Sequence, residues 1–260
     1  MCPPCTHCTG TSPSTPTSTP PSTADHGCSS TASPPTNCGP RRPRCSGTAW
    51  DTCTWPPRSP RPLPPKERHV VVLVRVTRCK GQHVAVRVTR ELGWPLVLAG
   101  PVGPFHRGAD LERALAAEPT VRTNPDVRYW CDEIAPHVDD RQVSWLGTVR
   151  GRQREHLLAT AAAALFPITW EEPGGTAVTE ALALGCPVVG FRRGCLPELL
   201  DHGRTGLLAE LDDEAGLLEQ LLDSKQIDPA DCVREAVRRF HPGPVADRYL
   251  ELHRRVLGPV

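Results

Sequence analysis

Ile, Val and Phe are absent from the first 68 residues of this 260-residue chain, and Met1 and Leu63 are the sole Met and Leu there. About one residue in four of that stretch is Pro, and Ser, Thr and Cys make up much of the rest. Such a composition cannot bury enough apolar surface to offset backbone ordering at roughly 1–2 kcal/mol per residue, which excludes an ordinary hydrophobic core. Nor does the chain contain an apolar run near the ~20 residues that a membrane-spanning helix requires. An N-terminal apolar region of the kind a secretory leader needs is missing too, so a cytoplasmic protein is expected. Neither sign of charge dominates. Residues 1–68 hold seven basic and three acidic side chains, a net of +4, and the remainder holds 23 basic and 26 acidic, a net of −3. With only Trp50 and Trp55 as stacking partners for the basic residues of the first segment, nucleic acid is not an expected partner.

Cysteine is the one chemistry-bearing residue that the first segment has in quantity. Cys2, Cys5 and Cys8 form C-x-x-C-x-x-C, a spacing compatible with a thiolate metal or cluster site. An iron–sulfur run calls for a fourth Cys three residues further on, and position 12 is Ser12. His7 and His26 fit no zinc pattern. Three readings of residues 1–68 stand side by side: a disordered tail, a metal-dependent interaction module on Cys2, Cys5 and Cys8, and translation out of frame. The last is motivated by the abrupt composition break near His69. Finding no globular sequence in the other two frames of the upstream DNA would overturn it.

From His69 onward the chain is rich in Val, Leu and Ala, and its patterning alternates between strand and helix. Residues 69–76 (HVVVLVRV) predict a strand buried on both faces. A helix over 80–92 carries Val84, Val88 and Leu92 on one stripe and stops at Gly93. Strands follow at 95–99, 143–146, 163–166, 187–191 and 206–208, with a further short strand predicted at 127–130. Helices are predicted over 109–117, 152–161, 176–184, 196–201, 212–223, 229–239 and 243–257. Strands alternating with helices imply an α/β fold, a doubly wound parallel sheet over 69–260 preceded by the Pro/Ser/Thr/Cys-rich segment 1–68.

In such a sheet ligands sit outside the carboxyl ends of the strands. Arg75 and Lys80 fall there after the first strand, Gly147 after the third, Pro167 to Glu172 after the fourth, and Arg192 and Arg193 after the fifth. Gly174 and Gly175 permit close backbone approach, and the helix starting near Thr176 offers unpaired N–H groups to a phosphate or a sugar hydroxyl. The glycines also suit a plain strand-to-helix turn, and Glu171 or Glu172 singly suits a helix-start charge. Glu180 is harder to dismiss: it sits among Ala177, Val178, Ala181, Leu182 and Leu184, where a carboxylate needs a partner. Arg75 offers a fork and Lys80 a point charge to a diphosphate, although each is ordinary as a solvated charge. His83, on the polar side of its helix, and His106 and His137, in loops, are assigned no role. His202 is assigned to a helix end, and Cys79, Cys131, Cys186, Cys195 and Cys232 are expected to be reduced thiols.

Glu172 and Glu180 stand in E-x7-E spacing, and LFPITWEEPGGTAVTEALALGCPVVGFRRGCLPELLDHGRTGLL resembles the donor-binding core of retaining glycosyltransferases of family 4. The Arg75…Lys80-Gly81 element, Val97–Gly103 and Val143–Val149 (VSWLGTV) are similar too. The resemblance covers about residues 69–256, the Rossmann-like C-terminal half of a GT-B fold. It implies transfer of a sugar, with retained configuration, from a nucleoside-diphosphate sugar to an acceptor that the motifs do not specify, with no cofactor or metal. By the same resemblance Glu172, Arg75 and Lys80 are catalytic. Glu172 contacts the donor sugar, Arg75 and Lys80 hold the diphosphate, Glu180 binds ribose, Gly174, Gly175 and Thr176 give backbone contacts, and Gly147, Thr148 and Val149 lie near the base. Two departures stand out. Val74 occupies a position where the family usually has Gly, and a side chain there crowds the phosphates. The family's N-terminal, acceptor-binding Rossmann domain has no counterpart in residues 1–68, so the alternative expectation is a non-catalytic remnant that binds nucleotide-sugar.

Overall fold

The computed structural model describes residues 62–258, and Cys2, Cys5 and Cys8 lie outside the described residues. Among the described residues the chain builds one sheet of six parallel strands in the order β3-β2-β1-β4-β5-β6. The strands are β1 (Val70–Leu73), β2 (Leu96–Ala99), β3 (Val143–Trp145), β4 (Ala163–Phe166), β5 (Val188–Phe191) and β6 (Gly206–Ala209). Successive side chains of a strand point to opposite faces, and every residue of β1, β4, β5 and β6 is buried. Both faces of the sheet are therefore covered, as expected for parallel strands joined by helical crossovers. The crossovers and the C-terminal helices are α1 (Gln82–Glu91), α2 (Gly108–Ala117), α3 (Pro125–Tyr129), α4 (Gly151–Thr160), α5 (Thr176–Ala183), α6 (Leu196–Leu199), α7 (Glu214–Asp223), α8 (Pro229–Phe240) and α9 (Pro242–Leu257). Helix α1 packs on α7, and α5 packs on α8.

The strand order reverses direction between β1 and β4. Val70 pairs with Leu96 on one side and with Ala163 on the other. The chain therefore leaves β1 and β4 toward opposite halves of the sheet, and a crevice opens between their carboxyl ends. This is the switch point at which doubly wound sheets receive ligands.

Two local expectations are corrected. The predicted strand at 127–130 is instead α3 followed by a wide helical turn over Trp130–Ile134. Asn124 decides this: its Oδ1 accepts the backbone N–H groups of Asp126 (2.9 Å) and Val127 (3.3 Å), with Pro125 in the first helical turn. That capping arrangement starts a helix where an apolar tetrapeptide alone suggests a strand. Strand β1 ends at Leu73, three residues short of the predicted end at Val76. Fully buried Gln82 donates its Nε2 to Arg75 O at 2.9 Å, stabilising a bend that takes the chain out of the ladder.

Residues just before the sheet are anchored to it. Lys66 Nζ donates to Ala159 O (2.9 Å) and Glu67 N–H to Thr160 O (2.7 Å), both at the end of α4. Burial pushes the Lys66 ammonium below its usual range. The five described cysteines, Cys79, Cys131, Cys186, Cys195 and Cys232, are free thiols. No described helix is long and apolar enough to cross a membrane.

Candidate active site at the switch point

The β1–α1 loop and the β4–α5 loop form the two lips of the crevice, and backbone bonds hold them together. Thr169 N–H donates to Cys79 O at 3.1 Å. Gly81, at φ 73°, lies so close to Pro167 that an added Cβ would sit 1.9 Å from its carbonyl oxygen. Only glycine satisfies both the left-handed backbone and that approach. The preceding residues, Arg78–Lys80, form a single 3₁₀ turn that presents Lys80 to the opposite lip.

There Lys80 Nζ pairs with Glu172 Oε2, each side chain only 14% exposed. The pair joins the two loops across the switch point. Trp170 Nε1–H donates to the same Oε2 at 3.1 Å, and Lys80 Nζ lies 5.0 Å from the Trp170 ring centroid. Glu172 O accepts the backbone N–H of Cys195 at 2.8 Å, tying the loop to the start of α6. Burial, followed by the charge of Glu172, pushes the Cys195 thiol above its usual range. The neighbouring Glu171 faces the β5–α6 loop: its Oε2 accepts Gly194 N–H at 3.0 Å, and its Oε1 lies 3.0 Å from Arg193 Nε. The latter contact is an ion pair by distance alone, since buried Arg193 Nε makes no hydrogen bond.

Helix α5 begins immediately behind Glu172. Gly175 occupies its N-cap position without a side-chain cap, so the first N–H groups of α5 have no capping oxygen. A Cβ on Gly174 would meet nothing within 4 Å, whereas one on Gly175 would lie 2.4 Å from Leu199 Cδ1. Gly174 thus borders open space, and Gly175 is tightly packed. One turn on, Glu180 is paired with Arg154 of α4, its side chain 17% exposed. The turn at Gly147–Val149 is held from the side. Gly147 O accepts Gly100 N–H (2.8 Å), Thr148 N–H donates to His106 O (2.9 Å), and His106 Nδ1 contacts Thr148 Oγ1 at 2.8 Å.

The structure therefore brings Lys80 and Glu172 into contact, with Gly174, Gly175 and Thr176 next in the chain. Glu180 lies one helical turn further along, paired to Arg154. Arg75 is exposed at the end of β1 and makes no ion pair among the described residues. The side chain of Val74 packs against the hydrophobic core. Arg193 was expected at the fifth strand end, Trp170 fell inside the Pro167–Glu172 stretch with no role of its own, and Arg154 was not singled out in the sequence. Arg154 has a visible signal, since it shares a helical face with Leu158 and Ala161 at i, i+4 and i+7 spacing. The contacts of Trp170 with Glu172 and of Arg193 with Glu171 follow from loop geometry that no periodicity encodes.

One histidine without an assigned role has a partner, and another lies away from its expected place. The backbone N–H of His83 donates to Tyr129 Oη (2.9 Å), and its Nδ1 lies 2.8 Å from the same hydroxyl. Burial, then Arg87 and Arg78, lowers its pKa, and burial raises Tyr129 to about 12. His202 serves no helix end; its Nδ1 accepts Leu208 N–H at 3.1 Å. Among the described residues no group of three or more His, Cys, Asp or Glu side chains is placed to hold a metal ion.

The family model described as "Glycosyl transferases group 1" matches residues 68–224, which include both lips of the crevice, α5 and the Gly147–Val149 turn. The chain belongs to this family of glycosyl transferases. Among curated relatives of this glycosyl transferase chain, the N-acetyl-alpha-D-glucosaminyl L-malate synthase of Bacillus anthracis is 32% identical over 127 residues, 46% of this chain and 32% of that one. The WcaL protein of Escherichia coli K12, described as a colanic acid biosynthesis glycosyltransferase, is 26% identical over 179 residues, 65% of this chain and 39% of that one. The crystal structure of AviGT4, a glycosyltransferase involved in avilamycin A biosynthesis, superposes with a TM-score of 0.58 at 29% identity, covering 75% of this chain and 53% of that one. Anabaena HepE in complex with UDP shares the fold, with a TM-score of 0.56 at 19% identity, over 72% of this chain and 48% of that one. The chain thus spans less than two fifths of the two curated relatives and about half of the solved ones.

Proposed function

We propose that this domain binds a nucleoside-diphosphate sugar at the switch point and serves sugar transfer with retained configuration. The observation that carries the reading is the Lys80–Glu172 pair, which bridges the β1–α1 and β4–α5 loops beside the uncapped start of α5. A lysine there supplies a point charge to a diphosphate, and the free N–H groups of a helix start add a positive dipole end. The complexes of HepE with UDP, with UDP and glucose, and with UDP-glucose support the ligand class.

In this reading Lys80 meets the negative charge that builds on the departing diphosphate when the bond from the anomeric carbon breaks. Arg75, exposed and without an ion pair among the described residues, adds a second cation from the end of β1. The acceptor oxygen bonds the anomeric carbon on the face that the diphosphate leaves, and the acceptor hydroxyl proton passes to the departing diphosphate oxygen. Glu172 orients the donor sugar, and Glu180, held by Arg154, accepts from ribose hydroxyls. Gly174, Gly175 and Thr176 contribute backbone donors, and Gly147, Thr148 and Val149 lie beside the base. No metal or cofactor is assigned a step.

The test is thermal stability and calorimetric titration of the full chain with UDP-, GDP- and ADP-sugars. Saturation at 100-fold the dissociation constant stabilises a fold by about 2.7 kcal/mol, or roughly 5–10 °C for a domain of this size. Glu180→Ala is expected to weaken nucleoside diphosphate binding more than Glu172→Ala, because only the former touches the nucleotide. Equal nucleotide affinity in the two variants would overturn the assigned roles. Stabilisation by no donor would overturn the reading itself.

A further inference from the structure

Three contacts converge on one residue that the donor-site reading does not use. Trp170 donates Nε1–H to Glu172 Oε2 at 3.1 Å. Its ring faces Lys80 Nζ, which lies 5.0 Å from the centroid and pairs with the same Oε2. Its carbonyl accepts the backbone N–H of Glu172 at 2.9 Å, a two-residue turn that brings both side chains to the same lip. The side chain is nevertheless 41% exposed, so core burial is not what keeps it there.

We propose that Trp170 is a positioning residue for the donor site, orienting the Glu172 carboxylate through its indole N–H and supporting Lys80 through its ring face. This rests on the donor-site reading and adds a division of labour within it. A carboxylate bonded only to a flexible lysine can swing with it. A second donor on a rigid indole keeps Oε2 in place when Lys80 turns from Glu172 toward a diphosphate, and the cation–π contact restricts where the ammonium can go. The N–H therefore serves the sugar side, through Glu172, and the ring serves the phosphate side, through Lys80.

The two functions separate by substitution. Trp170→Phe keeps a ring face for Lys80 and removes the N–H, whereas Trp170→Leu removes both. Isothermal titration of the full chain with UDP, GDP and ADP, and with their glucose conjugates, reads the two sides independently of turnover. Expected for Trp170→Phe is a nucleoside diphosphate affinity unchanged within about twofold, with nucleotide-sugar affinity falling by about tenfold, the scale of a hydrogen bond to a charged group. Expected for Trp170→Leu is a further loss of about threefold against both ligands, the scale of an exposed cation–π contact. A merely structural role would lower melting temperature and weaken both ligands in parallel in Trp170→Phe, which would overturn the proposal. So would wild-type affinities in both Trp170 variants alongside a loss in Lys80→Ala, an outcome that leaves the donor site intact. Binding of none of these compounds by the wild-type chain would remove the donor-site reading and this proposal with it. The hydrogen bond itself is checked without ligand. Glu172→Gln is expected to shift the indole Nε1–H resonance that disappears in Trp170→Phe, and an unmoved resonance would also overturn the proposal.

Discussion

Gly174 and Gly81 lie on opposite lips of the crevice and answer different questions when given a methyl group. A Cβ on Gly174 meets no atom within 4 Å, so Gly174→Ala is expected to leave thermal stability within about 0.5 kcal/mol. Any loss of nucleotide-sugar affinity in that variant then reports a ligand lying against position 174, and full retention of affinity would place the ligand elsewhere. Gly81 has a left-handed backbone at φ 73°, with Pro167 O 1.9 Å from the would-be Cβ. The backbone term alone costs about 1–2 kcal/mol, and the clash forces the two lips apart. Gly81→Ala is therefore expected to lose more than about 2 kcal/mol of stability and to weaken nucleoside diphosphate binding through displaced Lys80, measured by urea unfolding and titration. The same contrast explains what could be read ahead of the structure. Glu180 stood out in the sequence because a carboxylate in an apolar helix needs a partner, whereas Lys80 and Glu172 were candidates through their strand-end positions and the family resemblance. The contact of Trp170 with Lys80 was not legible, because it depends on which loops face one another, and the pairing of Arg154 with Glu180 depends on which helices do.

At the scale of elements, a capping device and a pairing device fix two segments through contacts that periodicity does not describe. Asn124 satisfies two N–H groups at the start of α3, and Asn124→Ala is expected to cost about 1 kcal/mol, seen as a lowered urea midpoint with an unchanged slope. Glu235 of α8 is 3% exposed and bonds Arg204 (3.0 Å), Arg238 (2.6 and 3.0 Å) and Arg239 (3.5 Å). Its pairing with Arg238, followed by Arg239 and Arg204, holds the carboxyl below its usual range in spite of burial. Glu235→Ala is expected to cost about 1.5–3 kcal/mol, the scale of hydrogen bonds to charged groups, loosening α8 from the β5–β6 end of the sheet. Amphipathic spacing was enough to foresee α8. The arginine cluster that fastens it needed the tertiary placement of Arg204, 31 residues away in the chain.

For the molecule as a whole, the burial of His83 makes stability depend on pH. His83 titrates below its ordinary value of 6.5, because burial disfavours the imidazolium and Arg87 and Arg78 repel it, with Glu214 opposing them. The unfolded chain therefore takes up the proton first as pH falls. Stability is full above about pH 6.5 and declines as pH drops toward the lowered native value, below which both states are protonated and the contribution is level. Melting temperature measured between pH 7.5 and 5 is expected to fall less in His83→Gln than in the wild type, and parallel curves would refute the assignment.

What the sequence by itself determined is the class of fold and the end of the sheet where the candidate site residues gather. Unbroken β-branched runs have to be buried on both faces, alternation with helices makes the strands parallel, and parallel strands point all their carboxyl ends one way. The tertiary structure decided which of those ends meet. Strands β1 and β4 are adjacent although 89 residues separate the end of one from the start of the other, because the order reverses there. That reversal alone sets Lys80 against Glu172. Local pattern carries periodicity and turn chemistry, whereas the pairing of distant loops follows from the packing of the whole sheet.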